Sequence, residues 1–250
     1  MKNSLLSIHK LPTKVHNLLS FYFHFTFLIT FFIICSIFIF YSPTTQAQVQ
    51  INFRLQTGFP LEEFAQKNES IALGIGGAFL IPIEASKSVV LVGLDAGYMN
   101  YGMKAEDYID NTGSRYTLNT SNNIFETFAM VRFKPRWEKS FIYPYADGLI
   151  GGRYIYTLTT EESNGEQLDP FIEQEDLSFA YGGAAGLFFS FSEQIKLDIR
   201  AVYTQGSRAK YLTKNSIYPD PLVPDQFVYD VKNTRTDMLS FQVGLTFFIN

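Results

Sequence analysis

The side chains that usually carry covalent or metal chemistry are few in this sequence and gathered at one end. His9, His16, His24 and the single cysteine, Cys35, all precede residue 48. Hydrolases and acyltransferases that place a nucleophile beside a histidine need His, and zinc sites need Cys or His, so residues 48–250 supply neither chemistry. Carboxylates remain. Glu62-Glu63 and Glu161-Glu162 are adjacent pairs, and adjacent acids in loops are as a rule solvated. Gly74-Ile75-Gly76-Gly77 and Gly182-Gly183-Ala184-Ala185-Gly186 could be mistaken for phosphate cradles. Neither opens a helix or carries the Lys-Ser/Thr pair of a P-loop. No catalytic residue, cofactor or metal ligand is assigned.

One run departs from the rest in charge. Between Tyr154 and Phe191 there is no Lys or Arg, while Glu161, Glu162, Glu166, Asp169, Glu173, Glu175 and Asp176 gather around Asn164-Gly165. Oxygen ligands in that number could hold calcium loosely, or bridge through divalent ions to lipopolysaccharide. Their spacing matches no EF-hand, so the expectation is a solvated acidic loop, with these seven residues kept as candidate cation or partner contacts.

A second set of charges is spaced by two. Lys196, Asp198 and Arg200 alternate with Ile195, Leu197, Ile199 and Ala201, and the same parity places Arg54, Asp95, Glu126, Arg132, Lys134, Asp147 and Arg153 on matching faces of other segments. Six basic and four acidic side chains thus share faces with Gly, Ala and Ser. A face that mixes both signs with small residues suits a narrow lumen in which the charges pair, because an eight-stranded barrel is just wide enough to be filled by side chains. These ten residues are read as a structural network, with Asp198 or Asp147 as the partners of Arg200.

The elements that must position them are strands. Period-two alternation divides Leu239, Phe241, Val243, Leu245, Phe247 and Ile249 from Ser240, Gln242, Gly244 and Thr246, and it recurs from Ser178 to Phe189. Applied throughout, it predicts eight strands near residues 48–57, 70–82, 88–101, 122–135, 141–158, 176–191, 194–209 and 236–250. Each can cross a bilayer when tilted, which takes about 9 to 11 residues. Short connections at Glu84 to Lys87, Arg136 to Ser140 and Ser192 to Glu193 alternate with long polar ones at Gly58 to Glu69, Gly102 to Ser121, Thr159 to Glu175 and Lys210 to Arg235. That asymmetry is the one expected of an outer-membrane barrel with its short turns in the periplasm. Tyr98, Tyr101, Tyr143, Tyr154, Tyr156 and Tyr203 fall near strand ends, where amphipathic rings suit the membrane interface.

The start of the chain has a different character. Phe25 to Phe40 is an uncharged apolar run, preceded by Lys2, Lys10 and Lys14 and followed by small residues up to Ala47. Residues 1–47 read as a secretory signal peptide cleaved near Ala47, and residues 48–250 as the mature barrel domain, with an uncleaved anchor as the alternative. Without Lys2, Lys10 and Lys14 the chain keeps 17 basic against 24 acidic residues, a net of −7, which argues against nucleic-acid binding.

Three stretches carry a family resemblance. Phe141 to Tyr154 (FIYPYADGLIGGRY) resembles the Pro-Tyr strand with spaced glycines of the outer membrane protein β-barrel domain family. Tyr181 to Tyr203 is similar to that family's glycine-rich hairpin, and Gly244-Leu-Thr-Phe-Phe-Ile-Asn250 to its terminal aromatic strand, although Ile249 and Asn250 extend past the usual ending. The resemblance covers about 110 residues and implies the fold and address of small OmpA-type and OmpX-type barrels, without a site.

The combined expectation is all-β: a closed eight-stranded antiparallel up-and-down transmembrane barrel behind a signal peptide, in the outer membrane of a Gram-negative cell. The expected partners are outer-membrane lipid, lipopolysaccharide and, during biogenesis, the barrel-insertion machinery. The expected role is non-enzymatic, in surface interaction, adhesion or envelope integrity. Two alternatives stand beside it: a narrow channel for small hydrophobic compounds, and a membrane-anchored soluble barrel that binds a lipophile.

Overall fold

The computed structural model describes residues 48–83, 89–109, 115–135, 140–163, 166–167, 169–219 and 227–249. The expected signal peptide lies outside these residues, as do the connection Glu84 to Lys87 and most of Arg136 to Ser140. Eight long strands build the body: β1 (Val49–Pro60), β2 (Ala72–Pro82), β3 (Val90–Ile109), β4 (Arg115–Phe133), β5 (Ile142–Ser163), β7 (Phe171–Ser190), β8 (Ile195–Gly206) and β13 (Met238–Ile249). Smaller pieces decorate the long connections: α1 (Glu62–Lys67), β6 (Glu166–Gln167), β9 (Arg208–Tyr211), β10 (Ile217–Pro219), β11 (Phe227–Tyr229) and β12 (Lys232–Arg235).

The eight long strands run in the order β4-β3-β2-β1-β13-β8-β7-β5, and β4 pairs with β5 to close the ring. Every neighbouring pair is antiparallel. Closure leaves no unpaired backbone around the girth, which is what a bilayer demands of a strand.

Register explains why charges sit beside small residues. Arg54 lies between Gly76 and Gly244, Asp198 pairs with Gly244, Arg200 with Gly186, and Glu126 with Gly97. A glycine beside each long side chain leaves the lumen wide enough for it to turn across the axis. Gly186 shows the constraint directly: a Cβ there would stand 2.3 Å from Cζ of Tyr145, its cross-strand neighbour.

The outer face is chemically uniform. From β1 to β13 the outward positions below the polar excursions include exposed Phe53, Leu55, Leu73, Ile75, Leu94, Ile150, Phe179, Ile199, Phe241 and Val243, with no Asp, Glu, Lys or Arg among them. The interior alternates instead. An apolar cluster at the long-loop end, with Met99, Tyr101, Ile124 and Met238, and another around Leu80, Leu91, Phe128 and Met130 share the lumen with the charged side chains. Tyr145, Phe188 and Phe248 pack together near the short turns.

Two expectations about loops are corrected. Gly102 to Ser121 and Thr159 to Glu175 are largely strand: β3 pairs with β4 out to Ile109↔Arg115, and β5 with β7 out to Thr159↔Phe171. Polar residues such as Thr117, Asn119 and Thr160 continue the ladder beyond the apolar band, so apolar alternation disappears while pairing persists. A β-bulge between Asn100 and Gly102 shifts the register at the base of this extension.

The tyrosine expectation also divides. Tyr98, Tyr154, Tyr156 and Tyr203 stand on outward positions, and Tyr181 joins them. Tyr101 and Tyr143 do not. Tyr101 shares the inward parity of Asp95 and is buried, donating its hydroxyl to the Leu212 carbonyl at 2.8 Å, and Tyr143 packs beside the inward Tyr145 cluster.

Candidate functional site

The inward charges meet in one chain of ion pairs. Arg54 donates to Asp95 at 2.5 Å, Asp95 also accepts from Arg200 at 2.7 Å, and Arg200 reaches Asp147 at 3.0 Å. Arg132 closes the series by holding Asp147 through two contacts, at 2.8 and 2.9 Å, the bidentate geometry its planar fork favours. Its guanidinium also lies 3.8 Å from the centroid of the Tyr145 ring. A second pair, Arg153 and Glu126 at 3.4 Å, is supported by Thr204 at 2.8 Å and by the Thr236 carbonyl.

Of the two carboxylates expected beside Arg200, Asp147 is ion-paired with it at 3.0 Å and Asp198 is not. Asp198 accepts from Tyr145 at 2.5 Å, Asn52 at 3.1 Å and Thr246 at 3.2 Å. Arg200 instead reaches Asp95 on β3, as well as Asp147 on β5 two strands away. Lys134 and Lys196 also stand apart. They are half-buried near the short turns, with no carboxylate partner among the described residues. The Lys196 ammonium lies 4.0 Å from the Tyr143 ring centroid and 4.4 Å from that of Phe248, with Lys134 at 6.0 Å from Phe248. Eight of the ten predicted charges are therefore fully buried in the lumen, four arginines against four acids.

The sequence reading placed Gln242 and Thr246 on the polar face but left the uncharged members out of the network. Gln50, Asn52, Gln56, Gln242 and Thr246 are all buried on the same faces, and the parity that found the charges would have found them. It also missed the seal. Glu62, the only non-glycine with positive φ among the described residues, opens the short helix α1, which inserts Phe64 into the long-loop mouth. There its ring meets Tyr211 at 5.0 Å and Tyr101 at 6.3 Å, edge to face. Glu63 anchors α1 to Arg208 at 2.8 Å.

Beyond the tyrosines, β3, β4, β5 and β7 continue as a projecting four-stranded sheet. Tyr98 donates to Asn123 at 2.6 Å, Tyr181 to Gln205 at 2.8 Å, and Tyr154 to Glu175, so their hydroxyls mark the level where polar side chains begin. From Tyr156 to Ser163 the sheet rises about 20 Å further. Leu118 on its inner side packs with Leu212, Ile217 and Phe227 of the last connection. Among the described residues Met103 to Ile109 pair with β4 alone, leaving one free edge.

Glu161, Glu162, Glu173, Glu175 and Asp176 of the candidate loop spread over β5 and β7. Glu161 and Glu162 lie on β5 opposite Leu118 and Thr117. Glu173 accepts from the Tyr229 hydroxyl at 3.1 Å, and Glu175 from Tyr154. Asp176 accepts the backbone N–H of Leu177 at 2.8 Å and of Lys210 at 2.7 Å, stitching the last connection to β7. Asp169 is exposed, and the Glu166 side chain lies outside the described residues. Among the described residues no group of three or more acidic side chains is placed to hold a metal ion. Burial, followed by the charge of Glu173, pushes the Tyr229 phenol up to about 12, and burial likewise raises Glu173 itself.

No family model matches the chain, and no curated protein does. Solved structures do. The chain is similar to Neisserial surface protein A at 10% identity over 83% of this chain and 100% of that one, with a TM-score of 0.39. It is similar to the attachment invasion locus protein Ail of Yersinia pestis, solved with the heparin analogue sucrose octasulfate, at 13% identity over 82% and 99%, TM-score 0.41. A major outer membrane protein of Thermus thermophilus matches at 12% identity over 80% and 99%, TM-score 0.39. At such identity and overlap the functional reading rests on the chain's own geometry: a closed eight-stranded up-and-down barrel, charged inside and uncharged outside.

Proposed function

We propose that this chain is an integral outer-membrane barrel, without catalytic activity, that acts through the sheet projecting beyond the lipid. The uncharged outer face supports the address. Asp, Glu, Lys and Arg are absent from the outward positions of the eight long strands between the short turns and the level of Tyr98, Tyr154, Tyr181 and Tyr203, where an arginine at mid-bilayer would cost about 2 to 4 kcal/mol. In water the same face would be one continuous apolar surface, far beyond the patches soluble monomers tolerate. That argues against the soluble lipophile-binding barrel. The partners follow from the address: membrane lipid, lipopolysaccharide around the projecting strands, and the insertion machinery during assembly.

The observation that carries the surface role is the free edge of β3 from Met103 to Ile109. An unpaired strand offers backbone donors and acceptors to an incoming chain, and natural proteins usually cover or blunt such an edge. Among the described residues the Lys104–Glu106 pair, at 2.6 Å, stands on it. A surface protein for adhesion or envelope contact uses this sheet as its contact element and the barrel as a rigid mount.

The test exploits the lack of cysteine after residue 47. An Ala105→Cys variant should react with a membrane-impermeant maleimide on intact cells. Labelling only after the envelope is opened, or recovery in a soluble fraction, would remove the proposal. Planar-bilayer recording should show no stable conductance, since ion pairs and Phe64 fill the lumen. Steady channel openings would favour the passage for small compounds instead.

A further inference from the structure

Above the mouth of the barrel a groove of about 520 Å³ runs between the residues that follow α1 and the last connection. Lys67, Asn68 and Ser70 form one side, and Lys214, Asn215 and Lys232 the other. The wall holds no aromatic and no aliphatic side chain. Lipid tails and nucleobases, which need apolar or stacking surfaces, have nothing to rest on there.

Charge and hydrogen bonding narrow the occupant. Lys232 is held by Asp230, while Lys67 and Lys214 have no carboxylate partner among the described residues. Asn68 is 2% exposed, its Oδ1 accepts from the Ser70 N–H at 3.3 Å, and that contact leaves its Nδ2 without an acceptor. A buried donor without an acceptor is costly, and one in the wall beside two free ammonium groups calls for acceptor oxygens carrying negative charge.

We infer that this groove binds an acidic saccharide, one or two sugar rings carrying a carboxylate. The carboxylate lies between Lys67 and Lys214, hydroxyl oxygens accept from the Asn68 and Asn215 amides, and hydroxyl groups donate to Glu69 and Asp230. Those two acids also set an upper limit on charge, since they repel a polyanion. The inference rests on the surface reading only for access, because the groove opens on the long-loop side.

Purified protein in detergent micelles free of lipopolysaccharide tests the groove without reference to location. By titration calorimetry, digalacturonic acid should bind, and maltose should bind at least tenfold more weakly. A K67Q/K214Q double variant should lose at least tenfold in affinity, while Asn68→Asp, which replaces the donor with an acceptor, should weaken binding at unchanged lysine charge. A change in detergent-gel mobility on boiling, expected of a closed barrel with no edge from which to unravel, checks that each variant is folded. Equal affinity for maltose, no loss in K67Q/K214Q, or inorganic phosphate binding as tightly as the disaccharide would each overturn the assignment. Displacement of digalacturonate by lipid-free core oligosaccharide would assign the groove to the cell's own envelope, and its absence to a foreign glycan; both outcomes support a saccharide site. Failure of the Ala105→Cys variant to label on intact cells would refute the location and leave the groove standing, whereas failure of digalacturonate binding would do the reverse.

Discussion

Replacing Arg200 by Leu tests the central claim about the lumen, that its charges are a balanced packing layer. Among the described residues Arg200 is the side chain that joins the two halves of the ion-pair series, touching Asp95 at 2.7 Å and Asp147 at 3.0 Å while 2% exposed. Removing it takes the buried layer from four arginines and four acids to a net charge of −1. Breaking a buried pair costs roughly 3 to 5 kcal/mol because a charge is left uncompensated. Here Asp95 keeps Arg54 at 2.5 Å and Asp147 keeps both contacts with Arg132, which places the expected loss near the lower end, about 3 kcal/mol. Arg153→Leu should cost more, toward about 5 kcal/mol, since among the described residues Glu126 has no other arginine within ion-pair distance. Neutrality can be restored without touching the pairs, because Asp198 is held by Tyr145, Asn52 and Thr246 and not by arginine. An Arg200→Leu/Asp198→Asn double variant should therefore recover about 1 kcal/mol or more of the loss, a coupling visible in a double-mutant cycle. Urea unfolding in lipid vesicles, followed by circular dichroism, measures each of these proteins. If Arg200→Leu falls within about 0.5 kcal/mol of the parent, the layer is not a packing device. If Arg200→Lys is then the more damaging change, the guanidinium serves recognition.

Three further outcomes follow from the same geometry. Ile199→Arg, outward at mid-strand, should cost about 2 to 4 kcal/mol in vesicles, and a neutral result there would contradict a lipid-facing surface. Converting Glu161, Glu162, Glu166, Asp169, Glu173, Glu175 and Asp176 to amides should leave thermal stability unchanged with or without millimolar calcium, because amides retain the acceptor oxygens used by Tyr154, Tyr229 and Lys210; a calcium-induced rise in melting temperature that the substitutions abolish would show a cation site. Tyr229 has a folded pKa of about 12, above its usual 10, so its contribution is full below pH of about 10 and is lost as pH rises through about 12. Absorbance at ~295 nm, parent minus Tyr229→Phe, should accordingly show a tyrosinate appearing near pH of about 12, and a midpoint near about 10 would contradict its hydrogen bond to Glu173.

The sequence by itself determined the architecture and its polarity. Eight stretches of period-two alternation with long and short connections in turn, as at Leu239 to Ile249, left an antiparallel barrel as the economical arrangement. The parity of Lys196, Asp198 and Arg200 against Ile195, Leu197 and Ile199 oriented it, because a strand has only two faces and charge cannot sit in lipid. Those are local properties, readable within one strand. Tertiary structure decided everything that depends on which strands meet across the lumen. Arg200 finds Asp95 and Asp147 on strands it does not pair with and leaves Asp198 to Tyr145. It also decided where strands end. The extension of β3 and β4 is mostly polar, with Leu118 its buried apolar residue, so no apolar alternation announces the pairing of Asp107 with Thr117, and only the partner strand shows that the ladder continues. Phe64 and the groove beside Asn68 were illegible for the same reason: each depends on a loop folding back over residues more than a hundred positions away, and nothing in the local pattern around Glu62 to Ser70 names those partners.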